Sequence, residues 1–106
     1  MAGEPRRPRQ VFVDTKDLIF RSKVRTIVAS AGDHVTTNPS ACDLAVIELD
    51  PATNVEPLRP FVERGTRVLA FASHVQAELL RQARDLGAEA VPNSGVETRL
   101  RALLTP

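Results

Sequence analysis

Two stretches of this chain, LAVIEL at residues 44–49 and VLAFA at residues 68–72, are apolar at almost every position rather than at alternate ones. A strand points its side chains alternately to the two faces of its sheet, so a strand without polar alternation has to be covered on both sides. A parallel sheet with helices on both faces meets that requirement. These two runs therefore constrain the chain to an α/β fold more than any other feature.

The segments around them supply the helices. Residues 11–13 are a short apolar run ended by Asp14 and read as a first strand. Asp17 stands at an N-cap position ahead of a stripe at Phe20, Val24, Ile27, Val28 and Ala31, one face of a helix that Gly32 closes. Residues 35–37 read as a second strand, followed by a turn at Asn38, Pro39 and Ser40. Pro57 and Pro60 limit the next helix to a turn or two, with Leu58, Phe61 and Val62 as its apolar face before Gly65. Ser73 and Gln76 have capping-box spacing and open a helix with its stripe at Val75, Leu79, Ala83 and Leu86, closed by Gly87. Residues 88–91 form the last strand. A second capping box, Ser94 and Glu97, opens a final helix on Val96, Leu100, Leu103 and Leu104.

With right-handed crossovers this order predicts an open, doubly wound five-stranded parallel sheet, flavodoxin-like in its order 2-1-3-4-5, whose second helix is missing or reduced. The anomalous link is residues 38–43 between the second and third strands, because parallel strands are usually joined by about a dozen residues or more.

A chain of 106 residues is one domain and buries roughly two thirds of its unfolded surface. With 42% apolar residues, 25% charged and a formal net charge of +1, its composition is that of an ordinary globular protein. Residues 1–9, with Arg6, Arg7 and Arg9 set between Pro5 and Pro8, read as a disordered Arg/Pro-rich tail ahead of a domain at 10–106. If the chain contacts nucleic acid, this tail is the segment for it. The absence of Trp and Tyr argues against a stacking platform for single strands. A lone Cys42 fits a reducing cytoplasm, and no apolar run approaches the roughly 20 residues that span a bilayer. A cytoplasmic protein is the expectation. His34 and His74 have no third ligand nearby, and there is neither a GxGxxG nor a P-loop pattern.

In sheets of this order function sits at the carboxyl ends of the strands. Those ends hold Asp14 and Asp17, then Glu48 and Asp50 two apart on one face, then Ala72, Ser73 and His74, then Pro92, Asn93 and Ser94. Acids from the first and third strands converge there, which suits weak binding of Mg²⁺ through oxygen ligands. Each has a plainer reading too: Asp17 as an N-cap, Asp50 before Pro51 as a turn former, Glu48 as a solvated carboxylate.

The segments QVFVD, DLAVIELDP, VLAFAS and LGAEAVPNS, with the helix ending at Ala31 and Gly32, resemble the response-regulator receiver domain over residues 10–104. That resemblance implies a site with an acidic pair after strand one, a phosphoacceptor Asp after strand three, a Ser or Thr after strand four and a Lys after strand five. In its register Glu48 takes the phosphoacceptor position and Ala72 the hydroxyl position, with Ser73 one residue late. Asn93 or Ser94 takes the Lys position, and Asp14 and Asp17 are separated by Thr15 and Lys16. Loss of one such stabilising donor costs on the order of 100-fold in phosphoryl or acyl chemistry. The chain thus resembles a degenerate receiver, or pseudo-receiver, with a vestigial acidic pocket of Asp14, Asp17, Glu48 and Asp50. In this reading it is not an enzyme, has no resident cofactor, and Glu48 is a candidate standing mimic of a phosphorylated Asp. The resemblance also implies a partner face on the family's fourth helix, fifth strand and fifth helix. Here that face would carry Leu79, Arg81, Arg84, Arg99 and Arg101 and bind a protein partner or a second copy. Two alternatives stand beside it: a working phosphorylatable receiver using Asp50 or an acidic Mg²⁺ pocket, and a nucleic-acid-associated regulator acting through the Arg-rich N-terminus.

Overall fold

Five parallel strands, β1 (Gln10–Asp14), β2 (His34–Thr36), β3 (Leu44–Glu48), β4 (Arg67–Ala72) and β5 (Glu89–Pro92), form a sheet of order β2-β1-β3-β4-β5. The computed structural model describes residues 7–105; residues 1–6, which hold most of the expected tail, and Pro106 lie outside the described residues. Helices α1 (Leu18–Ser30) and α4 (Val96–Leu104) cover one face of the sheet. Helices α2 (Arg59–Glu63) and α3 (Ala77–Leu86) cover the other, with a 3-10 turn at Glu56–Leu58 leading into α2. The order is the expected one.

The double coverage accounts for the two unbroken apolar runs. Leu44 and Val46 of β3 pack with Val24, Ile27, Leu100 and Leu104, while Ala45 and Ile47 pack with Leu58, Phe61, Leu79 and Leu80. On β4, Leu69 and Phe71 face the first set and Val68, Ala70 and Ala72 the second. Ile47, Leu69 and Leu100 are sealed from solvent, and each contributes about 1.5–3 kcal/mol through the area it withdraws from water.

No helix lies between β2 and β3, as expected, and the register explains how so short a link closes. Thr36, the last residue of β2, is level with Phe12, and Leu44, the first of β3, is level with Val11. Residues 37–43 therefore step back by a single strand position and cross two strand spacings, about 10 Å. Seven residues reach more than twice that distance. The link lies on the α2 side: Cys42 packs against that core, and the Arg64 guanidinium donates to the Pro39 carbonyl at 2.6 Å while lying 5.1 Å over the Phe61 ring. Phe61 in turn stacks on Phe12 at 5.7 Å. Loop and aromatic pair fill the place of the missing helix.

Two helix starts differ from expectation. The Ser73 hydroxyl oxygen accepts from the Val75 amide at 3.4 Å and the Ser73 carbonyl from the Gln76 amide at 2.9 Å, so residues 73–76 form a turn and α3 begins at Ala77. The Gln76 amide that a capping box would give to the Ser73 hydroxyl is taken by the Ser73 carbonyl instead. Val75 consequently leaves the helical stripe and is 72% exposed. At the C-terminus a 3-10 turn at Asn93–Gly95 precedes α4, whose N-cap is Gly95 rather than Ser94. At the N-terminal boundary, Arg9, grouped with the tail by its sequence context, is bound in place. Its amide and guanidinium bond both carboxylate oxygens of the buried Asp33 at 2.8–3.2 Å and also reach the carbonyls of Leu103 and Leu104.

Candidate functional site at the carboxyl edge

Three residues, Thr15, Lys16 and Asp17, join Asp14 at the end of β1 to α1. Asp14 is exposed, Thr15 is buried, and Lys16 and Asp17 are exposed. Asp17 caps α1: its Oδ1 accepts from the amides of Ile19 and Phe20, each at 3.0 Å, which satisfies two donors that the first helical turn leaves open. The Thr15 hydroxyl donates to Glu48 Oε1 at 2.8 Å and accepts from the Asp17 amide at 3.2 Å. The Lys16 amide reaches the same Glu48 oxygen at 3.1 Å. Arg21, one turn into α1, donates to the Thr15 carbonyl at 2.8 Å and fixes the loop from behind. Glu48 is thus held by a hydroxyl and an amide of the neighbouring strand's loop.

Asp50 lies in a tight turn. Its carbonyl accepts from the amides of Thr53 and Asn54, and its Oδ1 accepts from the Ala52 amide at 2.9 Å. Asn54, at φ 53°, occupies the left-handed region that asparagine tolerates better than most residues. The Lys16 ammonium stands 3.4 Å from Asp50 Oδ2. The Ala52 amide first, and this ammonium second, hold the Asp50 carboxyl below the usual carboxylate range. The Lys16 side chain is 90% exposed, so the pair is a weak surface contact.

A cleft of about 440 Å³ opens between these two loops, lined by Asp14, Thr15, Lys16, Glu48, Leu49 and Asp50, with Pro51, Thr53 and Pro57 closing its far wall. Of the expected acidic pocket, Asp14, Glu48 and Asp50 meet there, and Asp17 turns away to cap its helix. The residues expected from the other half of the sheet are not among its walls. Ala72 is buried in the α3-side core, Ser73 belongs to the turn before α3, and Asn93 and Ser94 are exposed in the short turn before α4. Thr15 and Lys16, which the sequence presents only as spacers between two acids, are central to the site. A Thr two residues ahead of an N-cap, at the end of a strand, is the pattern that could have marked it.

On the opposite flank, Leu79 is 5% exposed and belongs to the core, on the buried stripe of α3 with Leu80 and Ala83. It is not available to a partner face. Arg81 pairs with Glu78 and Asp85, Arg84 donates twice to the Ala90 carbonyl at 2.8 and 3.1 Å, and Arg99 bonds both oxygens of Glu89 at 2.6 and 2.9 Å. Arg99 holds the Glu89 carboxyl below the usual range. Arg101 is exposed and forms no ion pair among the described residues.

No model of a protein family matches the chain, and no curated protein does. Solved structures do. The solution structure of a response regulator protein from Burkholderia multivorans superimposes with a TM-score of 0.66 at 20% identity, over 94% of this chain and 98% of that one. The ChxR receiver domain from Chlamydia trachomatis superimposes with a TM-score of 0.61 at 15% identity, over 92% and 94%. A second ChxR structure gives 0.65 at 17% identity. The chain has the receiver fold. Within the receiver fold the cleft lies at the carboxyl edge, where strand order reverses between β1 and β3.

Proposed function

We propose that the chain is a non-catalytic, receiver-like signalling and interaction module without phosphoacceptor chemistry. The observation that carries this reading is the state of Glu48. Its Oε1 accepts both the Thr15 hydroxyl and the Lys16 amide, so the donors that would greet an incoming anion already hold the chain's own carboxylate. The methyl group of the buried Ala72 offers no hydroxyl at its position, and the uncharged Asn93 and Ser94 offer no cation at theirs, to a transferring phosphoryl group. Held in this way, Glu48 acts as an internal substitute for a modified aspartate and keeps the β1–α1 loop in one arrangement. The acidic residues could hold Mg²⁺ only weakly, because Asp17 is committed to its helix and Asp50 to its own turn. For Asp50 as the acceptor, Oδ1 is engaged by the Ala52 amide and Oδ2 by the Lys16 ammonium, so reaction at either oxygen gives up one of these contacts.

Incubation with acetyl phosphate and Mg²⁺, read on a phosphate-affinity gel, is expected to leave the chain unshifted. A shifted band that disappears in Asp50→Asn would overturn the reading and establish the phosphorylatable alternative. Partner binding, to another protein or a second copy, is assigned to the α3–β5–α4 face with Arg81, Arg84, Arg99 and Arg101. Arg84 is best left intact in tests of that face, because it also ties α3 to the outer strand.

A further inference from the structure

We propose that the free edge of β2 is a strand-addition site, and that it takes an acidic, extended segment of a protein partner. The sheet ends in β2 on one side and β5 on the other, and the two edges are finished differently. At β5 the Arg84 guanidinium occupies the Ala90 carbonyl with two hydrogen bonds. At β2 the outward main-chain groups are open. The His34 amide donates to the Arg9 carbonyl at 3.0 Å, so the alternation of a strand points the amide and carbonyl of Val35 away from β1. Neither group has a hydrogen-bond partner among the described residues, and the main chain of Thr37, two residues on, has none either. An edge in this state is a template for another strand.

A groove of about 300 Å³ runs along this edge, between β2 and the last two turns of α1. Val28, Ala29 and Val35 line it with apolar surface, and Arg25, His34 and Thr37 with polar groups. A strand added about 4.8 Å from β2 turns every second side chain toward α1. An apolar residue there covers Val35, which is half-buried against the α1-side core, and an acidic residue two positions away shares that face with Arg25. Charge selects the occupant. Arg25 is exposed and forms no ion pair or hydrogen bond among the described residues. The Asp33 carboxylate beside it has both oxygens on Arg9. Asp43 lies in the adjoining hollow beyond His34, where it is offset by Arg7 and accepts from the Gln10 amide. A second copy paired through β2 brings an Arg25 from each chain to one seam, with no free acid against them. A nucleic-acid phosphate suits the guanidinium but offers acceptors alone, which leaves the Val35 carbonyl without a donor. An extended acidic peptide supplies the carboxylate and both main-chain partners. This inference rests on the reading of the chain as an interaction module and adds a second face to it. The two fail separately: phosphoryl uptake breaks that reading whatever happens at β2, and a silent edge leaves the α3–β5–α4 face untouched.

The test is a titration of the full ¹⁵N-labelled chain with the synthetic peptide Thr-Glu-Thr-Val-Thr-Glu-Thr, whose alternation puts Val and both Glu on one face. One counterpart carries Lys for Glu, and another carries N-methyl groups on the Val and its two neighbours. Saturable amide shifts at residues 25–29 and 33–37, with slowed exchange of the Val35 amide, are expected with the Glu peptide. The Lys peptide should leave these amides unmoved, and the N-methylated peptide should bind about tenfold more weakly. Val35→Pro removes the outward amide and no bond to β1, so it should also cost about tenfold. Arg25→Gln should cost about two- to fivefold, and Arg25→Glu should turn the preference toward the Lys peptide. Thermal melts check the fold, and the exposed Arg25 variants carry the test if Val35→Pro unfolds. The proposal is overturned by no saturable shift, by equal binding of the Lys or N-methylated peptide, or by shifts confined to the α3–β5–α4 face. A DNA oligonucleotide that binds residues 25–37 as tightly as the peptide would give the groove to nucleic acid. Self-association that Val35→Pro abolishes would give the edge to a second copy.

Discussion

Thr15 is 3% exposed, and its single hydroxyl serves two elements at once, donating to Glu48 on β3 and accepting from the amide of the α1 cap. Replacing it with Val keeps the shape and removes both bonds, leaving a half-buried carboxylate with one donor fewer. Thr15→Val is expected to lower unfolding free energy by about 1–2 kcal/mol in urea denaturation at neutral pH. Part of that loss should vanish in a Glu48→Ala background, because the lost hydrogen bond no longer has an acceptor. Additive costs in the four-member cycle would show that the two residues do not act together. None of this coupling can be read from DTKD and VIELD as strings. The side chains are 33 positions apart and become neighbours only through the pairing of β1 with β3, which sets Asp14 beside Ile47.

At the scale of elements, the ends of the helices carry more information than their middles. The helix stripes of α1 and α4 are legible because burial repeats every three or four residues, and Val24, Ile27, Val28, Leu100 and Leu104 are where that period places them. The start of α3 was not legible, since Ser73 can bond two residues ahead or three, and local sequence does not choose between them. Its finish was: Gly87 adopts φ 114°, a conformation that side-chain-bearing residues rarely take. A Cβ built there would sit 3.5 Å from Val62 Cγ1, an ordinary contact, so any cost of Gly87→Ala is conformational and not steric. That substitution should destabilise by about 1–2 kcal/mol in a chemical melt, with α3 losing amide-exchange protection before the sheet does. Unchanged protection in α3 would mean that the helix end relaxes without strain. The outer strand has its own guard in Arg84, whose guanidinium occupies the Ala90 carbonyl and blunts an edge that another chain could pair with.

For the molecule as a whole, the bond between Arg9 and Asp33 ties together parts far apart in the chain. The Asp33 side chain is fully buried, and Arg9 links it to the last carbonyls of α4, joining the entry to β1, the turn before β2 and the C-terminal helix. Arg9→Ala takes the guanidinium away from a buried carboxylate while the backbone amide of residue 9 still donates to it, so the substitution should cost about 2–3 kcal/mol in urea denaturation. Arg9→Lys should recover only part of it, because an ammonium cannot reproduce the forked contacts. A loss below about 1 kcal/mol would show that solvent reaches Asp33 and the clamp is weak.

The hydrophobic patterning of this chain was sufficient for its architecture. Apolar runs such as LAVI and VLAFA are unstable unless both faces are covered, helical stripes supply the cover, and right-handed crossovers leave few orders for five strands. Burial is a one-dimensional signal, written residue by residue, and it survives without knowledge of neighbours. The site is different in kind. Which acids share a cleft, that Thr15 and Lys16 close on Glu48, and that Ala72 and Asn93 stand outside the walls depend on contacts about 3 Å long between elements distant in sequence. Those geometries exist only once the strands are in register and the helices have begun where their first free amides found partners.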